Sequence, residues 1–593
     1  MISRRDVAKL GASLLLAPAG VRAARGAAVP WWKRAVAYEI YPRSFQDGNG
    51  DGIGDFRGMA ARVDHLADLG VDAVWVAACF DSPNADNGYD VRDYRRIMPD
   101  FGTMADFDLF LSRARARGIH VILDMVFNHT SDEHEWFVRS RQSRDDPYRD
   151  FYIWRDGRDG GPPTDWQAAF GGPAWQFDAR TGQYYLHTFV AKQPDLNWEN
   201  PQVRAALYDI LRFWAAKGVS GFRFDAITSL AKPSAMRDLT PAQRAGSGAF
   251  AEIGPRLEGY LHDMYTHVFA GTDLYTVGEA WGAPHAAIAA MTDDRRGGLN
   301  SAFRFDLQLQ DIRGWRKTPW RLEAMRAFNA DNAFDDDPHV WPLVYLEDHD
   351  FPRAVSRYGS ARPEFRERSA MLLATMLLSL KGTPFIYQGQ EIGMANYPFT
   401  AIDQYRDVAA HQGWRDEVLS GRVPAATYLA NLAQSSRDNA RTPMQWDGSA
   451  HAGFTTGVPW LAVNPDHVRV NVAAQQGVAG SVLSFYRRMI ALRRARSCLA
   501  TGRYQDVSPE GRQGDVDRPG GRTGGLYAYL RRDEAGAALV VLNFSDAAAR
   551  YALPDGMAAE RVLIGNLPHP AAAVGGVLVL RPWESVIYAV RPG

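Results

Sequence analysis

Two cysteines in 593 residues, Cys79 and Cys498, are too few for a disulfide-stapled scaffold and leave at most one bridge open. No paired Cys pattern suggests a zinc site. A net charge of −1 gives no electrostatic case for binding nucleic acid or an anionic membrane. Proline and glycine are not in excess, so the chain reads as globular rather than fibrous or low-complexity. Beyond the N-terminus, no apolar run is long enough to span a bilayer. What is present is length, too much for one core, which implies two or three domains. The 17 Trp and 24 Tyr suit sugar binding, and equally suit a large aromatic core.

The N-terminus has its own pattern. Arg4 and Arg5 precede a short apolar run at 11–20 and small residues through Ala28. This is the layout of an export signal, and the arginine pair resembles a twin-arginine signal. Residues 1–28 are therefore expected to be a leader cleaved near Ala23 or Ala27, with the mature protein exported to the periplasm. The plain alternative is a disordered basic tail.

Further on, one phrase recurs: an amphipathic helix, a glycine, then a strand rich in Val, Ile and Phe. It ends at Gly70, Gly118, Gly218 and Gly382. Glycine just past a helix takes the left-handed conformation that turns the chain, and continuous apolar strands suit a parallel sheet covered on both faces. Eight strands are predicted, at 36–41, 71–77, 121–127, 221–225, 275–279, 302–305, 343–346 and 384–388. The alternation predicts an α/β fold with a (β/α)8 TIM barrel over 29–129 and 201–500. A stretch rich in Trp, Gly, Pro and Asp at 130–200 shows no helical period and is expected to be a small inserted domain B after strand 3. A second irregular insert is expected at 396–447. Short strands without helices at 501–593 predict a C-terminal antiparallel β-sandwich.

Acids stand at the ends of these strands. Asp225 closes Gly-Phe-Arg-Phe-Asp, Glu279 closes Tyr-Thr-Val-Gly-Glu, and Asp350 closes Glu-Asp-His-Asp. Acids at several strand ends are the layout of a barrel active site, and a nucleophile with a proton donor is the chemistry of glycoside cleavage. Arg223, two residues before Asp225, faces the same way and is expected to lower the Asp225 pKa. Burial and Asp225 are expected to raise that of Glu279. Each motif alone has a bland reading: a structural Arg–Asp pair, a Glu capping a helix, a satisfied core histidine.

Taken in order with Asp124–His129, Asp86-Asn-Gly-Tyr89, Gln193-Pro-Asp-Leu-Asn197, the 382–394 run and Arg441-Thr-Pro-Met-Gln-Trp-Asp447, they resemble the α-amylase superfamily, glycoside hydrolase family 13, and within it the oligo-1,6-glucosidase and α-glucosidase branch. The resemblance implies catalytic roles for Asp225 as nucleophile, Glu279 as acid/base and Asp350 as holder of the 2- and 3-hydroxyls. It implies substrate contacts from Asp86, Tyr89, His129, Phe170, Phe189, Gln193, Arg223, His349 and Arg441. The branch's usual Asn-His-Asp is here Asp348-His349-Asp350.

Asp47-Gly-Asn49-Gly-Asp51-Gly-Ile53-Gly-Asp55 resembles the first part of an EF-hand loop without its closing Glu. The resemblance implies one structural Ca²⁺ held by Asp47, Asn49, Asp51 and Asp55 side chains and the Ile53 carbonyl. The bland reading is an Asx/Gly turn.

The implied activity is that of a retaining, exo-acting α-glucosidase on short oligosaccharides or disaccharides, with no organic cofactor. Ala226 after the nucleophile, where α-1,6-specific members commonly carry Val, leans it to α-1,4 bonds. The alternatives are an oligo-1,6-glucosidase, a sucrose or maltose isomerase and a non-catalytic relative. No nucleic acid or membrane partner is expected once the leader is cleaved. The oligomer, monomer or dimer, is open.

Overall fold

The computed structural model describes residues 29–245, 252–509 and 525–591. The expected leader at 1–28 and a Gly/Arg/Asp-rich stretch of sequence at 510–524 lie outside the described residues.

Eight parallel strands form the central sheet: β1 (Ala37–Ile40), β2 (Ala73–Val76), β3 (His120–Val126), β4 (Gly221–Asp225), β5 (Tyr275–Ala280), β6 (Ser301–Arg304), β7 (Leu343–Val344) and β8 (Thr383–Tyr387). Their order is β6-β5-β4-β3-β2-β1-β8-β7, each neighbour hydrogen-bonded to the next. The gap between β6 and β7 is bridged by side chains. The Tyr345 hydroxyl donates to the Arg304 carbonyl at 2.9 Å, and the Phe303 and Tyr345 rings meet edge to face at 4.9 Å. The chain is thus a nearly closed (β/α)8 barrel.

Strand alternation sorts the side chains. Ala37, Ala73, Trp75, Ile122, Val277, Phe303 and Phe385 fill the barrel interior. Tyr38, Ile40, Val74, Val76 and Leu123 point outward into the helix layer. Gly221 faces inward where a Cβ would come 2.3 Å from the Tyr275 carbonyl oxygen, so only glycine lets β4 and β5 pair there. The helices Val63–Leu69 and Pro201–Lys217 end on Gly70 and Gly218, both left-handed, as the sequence predicts.

Residues 130–200 carry a three-stranded antiparallel sheet in the order Trp154–Arg155, Gln183–Leu186, Trp175–Asp178. They also hold one helix, Glu135–Ser140, which composition did not suggest. The bridges His129–Asp195 and Tyr152–Leu196 tie this insert to the barrel rim. The second insert is not irregular as expected. It is largely helical, with Val408–Gly413, Trp414–Leu419 and Ala425–Ser435 packed on a small core of Phe399, Tyr405, Tyr428 and Leu432. The middle segment is a π-helical stretch, whose wider spacing hides the usual 3.6-residue period.

At the C-terminus, five antiparallel strands run in the order Arg503–Asp506, Leu526–Asp533, Gly536–Asn543, Ser585–Arg591, Ala558–Gly565. A second pair, Ala549–Ala552 with Val577–Leu580, covers an apolar core of Leu539, Val541, Tyr551 and Leu578. Cys79 and Cys498 are both buried and unpaired. Among the described residues no helix is long and apolar enough to cross a membrane.

Candidate active site

Sheet register assembles the site. β3 pairs with β4 so that Asp124 stands opposite Arg223 and Val126 opposite Asp225. β4 pairs with β5 so that Arg223 stands opposite Val277, two residues before Glu279. The Arg223 guanidinium therefore lies among three acids. Its Nη1 donates to Asp124 Oδ1 at 2.8 Å and to Asp225 Oδ1 at 2.7 Å, and its Nη2 lies 2.9 Å from Glu279 Oε2. Trp75 packs under the guanidinium, 4.9 Å from ring centre to Cζ. The Ala226 amide, left-handed at φ 44°, donates to Glu279 Oε2 at 2.8 Å.

Asp225 and Glu279 are each 8% exposed. The sequence leads one to expect a lowered Asp225 pKa beside Arg223. The contact is present, but burial together with Asp124 outweighs it and pushes the group up to about 6. Glu279 moves as expected. Burial, the Asp225 charge and a hydrogen bond to the Asp225 carboxyl push it up to about 8 despite Arg223. At pH 7 the pair therefore holds an ionised Asp225 and a protonated Glu279.

A hydrogen-bonded chain continues from this centre. The Tyr89 hydroxyl donates to Asp124 Oδ2 at 3.0 Å and lies 2.7 Å from His349 Nε2, and the two rings stack at 5.4 Å. His349 Nδ1 lies 2.6 Å from Glu39 Oε1 on β1. Burial drives His349 down to about 3, so the ring is neutral, and drives Glu39 well above the usual carboxylate range, with Asp348 adding to that rise. Asp348, standing where the resemblance has Asn, is pushed up to about 8 by burial and by Asp350. It accepts the Asp350 amide at 2.8 Å through Oδ1. A protonated Asp348 has one donor and one acceptor, which makes it a near-isostere of the Asn carboxamide.

On the far wall, burial would raise Asp350, but His349, Arg437, Arg441 and Arg223 outweigh it and hold the group well below the usual range. Arg441 Nη2 donates to Asp350 Oδ1 at 2.7 Å and its Nε to the His349 carbonyl at 2.9 Å. Asp86 accepts from Gln193 Nε2 at 3.1 Å. His129, pushed down to about 4 by burial, lies 3.1 Å from the same Gln193 nitrogen. Phe189 meets His129 edge on at 5.1 Å and Phe170 at 5.7 Å. The structure thus gathers Asp86, Tyr89, His129, Phe170, Phe189, Gln193, Arg223, Asp225, Glu279, His349, Asp350 and Arg441 at one end of the barrel.

Sequence reasoning missed Glu39 and Arg437 here. Glu39 had a signal, an acid at an inward position of an otherwise apolar strand. So did Arg437, one helical turn before Arg441.

The Asp47–Asp55 loop lies apart from this cluster. Asp47 accepts from the Asn49, Gly50 and Gly52 amides and the Thr455 hydroxyl. Asp55 accepts from Gly48 and caps the helix Phe56–Ala61. Among the described residues none of Asp47, Asp51 and Asp55 has a cationic partner. Burial and its two acidic neighbours raise Asp55 against those amides. Three acids, an amide and a carbonyl are oxygen donors of the kind Ca²⁺ takes, but among the described residues the Asp47, Asp51 and Asp55 carboxylates do not converge within 4.8 Å of one another.

Paired carboxyls at neighbouring barrel strand ends, here joined through the Arg223 guanidinium, are the layout of a barrel glycosidase site. A sequence profile described as "Alpha amylase, catalytic domain" matches residues 39–502. An oligo-1,6-glucosidase of Parageobacillus thermoglucosidasius is 42% identical over 95% of this chain and 99% of its own length. An alpha-glucosidase of Pediococcus pentosaceus is 45% identical over 81% of this chain and 87% of its own. Among solved structures, the trehalulose synthase MutB of Pseudomonas mesoacidophila superposes with a TM-score of 0.90 at 46% identity, covering 95% of this chain and all of that one. The chain belongs to the alpha-amylase family and is a glycoside hydrolase.

Proposed function

We propose that this protein is a retaining, exo-acting α-glucosidase that releases glucose from the non-reducing ends of short α-glucosides. The observation that carries the reading is that one guanidinium, Arg223, meets both Asp225 Oδ1 at 2.7 Å and Glu279 Oε2 at 2.9 Å, which sets the two carboxyls side by side. Inverting glycosidases separate their carboxyls by about 6.5–9.5 Å to admit a water, whereas retaining ones keep them near 5 Å. The ionised Asp225 attacks the anomeric carbon as the bond to the glycosidic oxygen breaks. The Glu279 proton goes to that leaving oxygen. Water then attacks the glucosyl–Asp225 ester, Glu279 takes its proton, and Asp225 leaves with net retention. Arg223 balances the charge that Asp225 carries between the two steps.

For linkage we propose a preference for α-1,4 bonds, supported by the small side chain of Ala226 beside the nucleophile. A second reading, a disaccharide isomerase, draws support from the synthase at 46% identity. We further propose that the Asp47 loop holds a structural Ca²⁺ through Asp47, Asn49, Asp51 and Asp55 and the Ile53 carbonyl; bound there, the ion would tie β1's loop to the segment around Thr455. Glucose release from maltose, isomaltose, sucrose and trehalose tests the function. An α-glucosidase liberates free glucose, whereas an isomerase turns sucrose into another disaccharide with little free glucose.

A further inference from the structure

His349 is buried with a neutral ring, so it has one proton to place on two nitrogens. The Tyr41 and Tyr89 rings lie nearly parallel to it at 5.8 and 5.4 Å, and Trp75 meets it edge on at 5.7 Å. Glu39 reaches it from an inward position of β1, opposite Trp75 on β2 and Tyr387 on β8. The protons around the ring can be counted. Asp124 meets Arg223 Nη1 with both oxygens, at 2.8 and 3.1 Å, as an ionised acceptor does. The Tyr89 hydroxyl has one proton and gives it to Asp124 Oδ2 at 3.0 Å. Its 2.7 Å contact with His349 must then run the other way, from Nε2–H to the tyrosine oxygen. That leaves a lone pair on Nδ1, and its 2.6 Å contact with Glu39 Oε1 needs a proton on the glutamate. The surrounding charges agree. Nε2 also stands 3.7 Å from Asp350 Oδ1, where an N–H suits the carboxylate and a lone pair does not. Among the described residues no Lys or Arg lies within ion-pair distance of Glu39. Burial, then Asp348, with Asp124 and Asp350 adding, disfavours a charged Glu39 against the pull of Arg223. Burial keeps the neighbouring Tyr387 phenol uncharged.

We propose that Glu39 is a positioning residue for His349: it carries a proton at neutral pH, donates it to Nδ1, and so fixes the tautomer whose Nε2–H faces the sugar pocket. Asp350, with a side chain 27% exposed, marks the pocket side of the ring. When a glucosyl ring enters, the Nε2–H turns from the Tyr89 oxygen to a sugar hydroxyl without any proton changing its owner. The other tautomer presents a lone pair beside Asp350 and has no proton to donate there. An ionised Glu39 would draw the ring proton to Nδ1 and produce that tautomer. Glu39 therefore acts through His349 and touches no substrate itself. This inference rests on the α-glucosidase reading.

The test reads the tautomer first and the rates second. Nitrogen-15 NMR of histidine-labelled protein at pH 7, with His349→Gln to assign the resonances, should find the His349 proton on Nε2 and none on Nδ1. A proton on Nδ1, or on both nitrogens, overturns the proposal whatever the substrate. Glu39→Gln keeps an N–H donor for Nδ1. It should keep the Nε2–H signal and a kcat on p-nitrophenyl α-glucoside within about threefold of wild type. Glu39→Leu has no donor, so the Nδ1–H form should appear in its spectrum. Its kcat should fall by about 10- to 100-fold with a much smaller change in KM, because hydrogen bonds to the sugar hydroxyls strengthen in the transition state. Equal losses in the two variants, or a Glu39→Leu as active as wild type, overturn the proposal. If Glu39→Leu does not fold, the wild-type and Glu39→Gln spectra decide. A wild type with the Nε2–H signal that is inactive on every α-glucoside overturns instead the reading beneath it.

Discussion

Asp348→Asn is a stability experiment as much as an active-site one. Asp348 is 5% exposed and faces Asp350 on its own loop, Glu279 and Arg223 across the barrel, and Glu39 on β1. Burial and Asp350 push it up to about 8. The sign follows from linkage. Below the ordinary carboxylate value both the folded and unfolded chains hold the proton and the acid costs nothing. As pH rises, the unfolded chain releases its proton first, and folded stability falls until Asp348 itself ionises near pH 8. Each unit in that window costs about 1.4 kcal/mol, so roughly three units give on the order of 4 kcal/mol at pH 7. Relaxation around a group coupled to Asp350 reduces that figure. Asn supplies the same donor and acceptor without an ionisation. The variant should therefore melt several degrees higher than wild type at pH 7.5 and at nearly the same temperature at pH 4. Calorimetry at the two pH values decides it. An equal shift at both, or a lower melting point at pH 7.5, would refute a buried proton on Asp348.

Asp225→Asn and Glu279→Gln should each lower kcat/KM by ~10³-fold or more in a protein that still folds, because nothing nearby replaces either group. The wild-type profile of kcat/KM should be bell-shaped, falling on the acid side near pH 6 as Asp225 protonates and on the alkaline side near pH 8 as Glu279 ionises. Chelation should lower the melting temperature if the Asp47 loop holds Ca²⁺, and no shift with no bound metal would leave it a plain turn. Ala226→Val should narrow or reverse a maltose-over-isomaltose preference by ~10- to 100-fold. Since Ala226 sits at φ 44°, where a β-branched residue is strained, a melting curve must accompany the rates.

The barrel was readable because its signal is repetitive: an amphipathic helix, a closing glycine and an apolar strand recur at Gly70, Gly118, Gly218 and Gly382. Even the two short strands Ser301–Arg304 and Leu343–Val344 fall on predicted positions. Arg503–Asp506 and Ala549–Ala552 were missed because edge strands with exposed polar residues lack an apolar run. The helices at 408–435 were missed because Gly413, Gly421 and Pro424 interrupt them and a π-helical stretch breaks their period. In the site, strand-end acids and motif order pointed to Asp225 and Glu279, which the structure brings together on Arg223. Charge balance could not be read the same way. The expectation of a lowered Asp225 pKa counted Arg223, two residues away, but not Asp124, which is brought there by the β3–β4 register.

The most direct test of the account is to trap the covalent intermediate. Incubation with 5-fluoro-α-D-glucopyranosyl fluoride, followed by peptic digestion and mass spectrometry, should find one 5-fluoroglucosyl unit on the peptide containing Gly221–Asp225, esterified at Asp225. Adduct formation should disappear in Asp225→Asn. A label on another carboxylate, or turnover of natural substrate with initial release of β-glucose and no adduct, would contradict a retaining mechanism through Asp225.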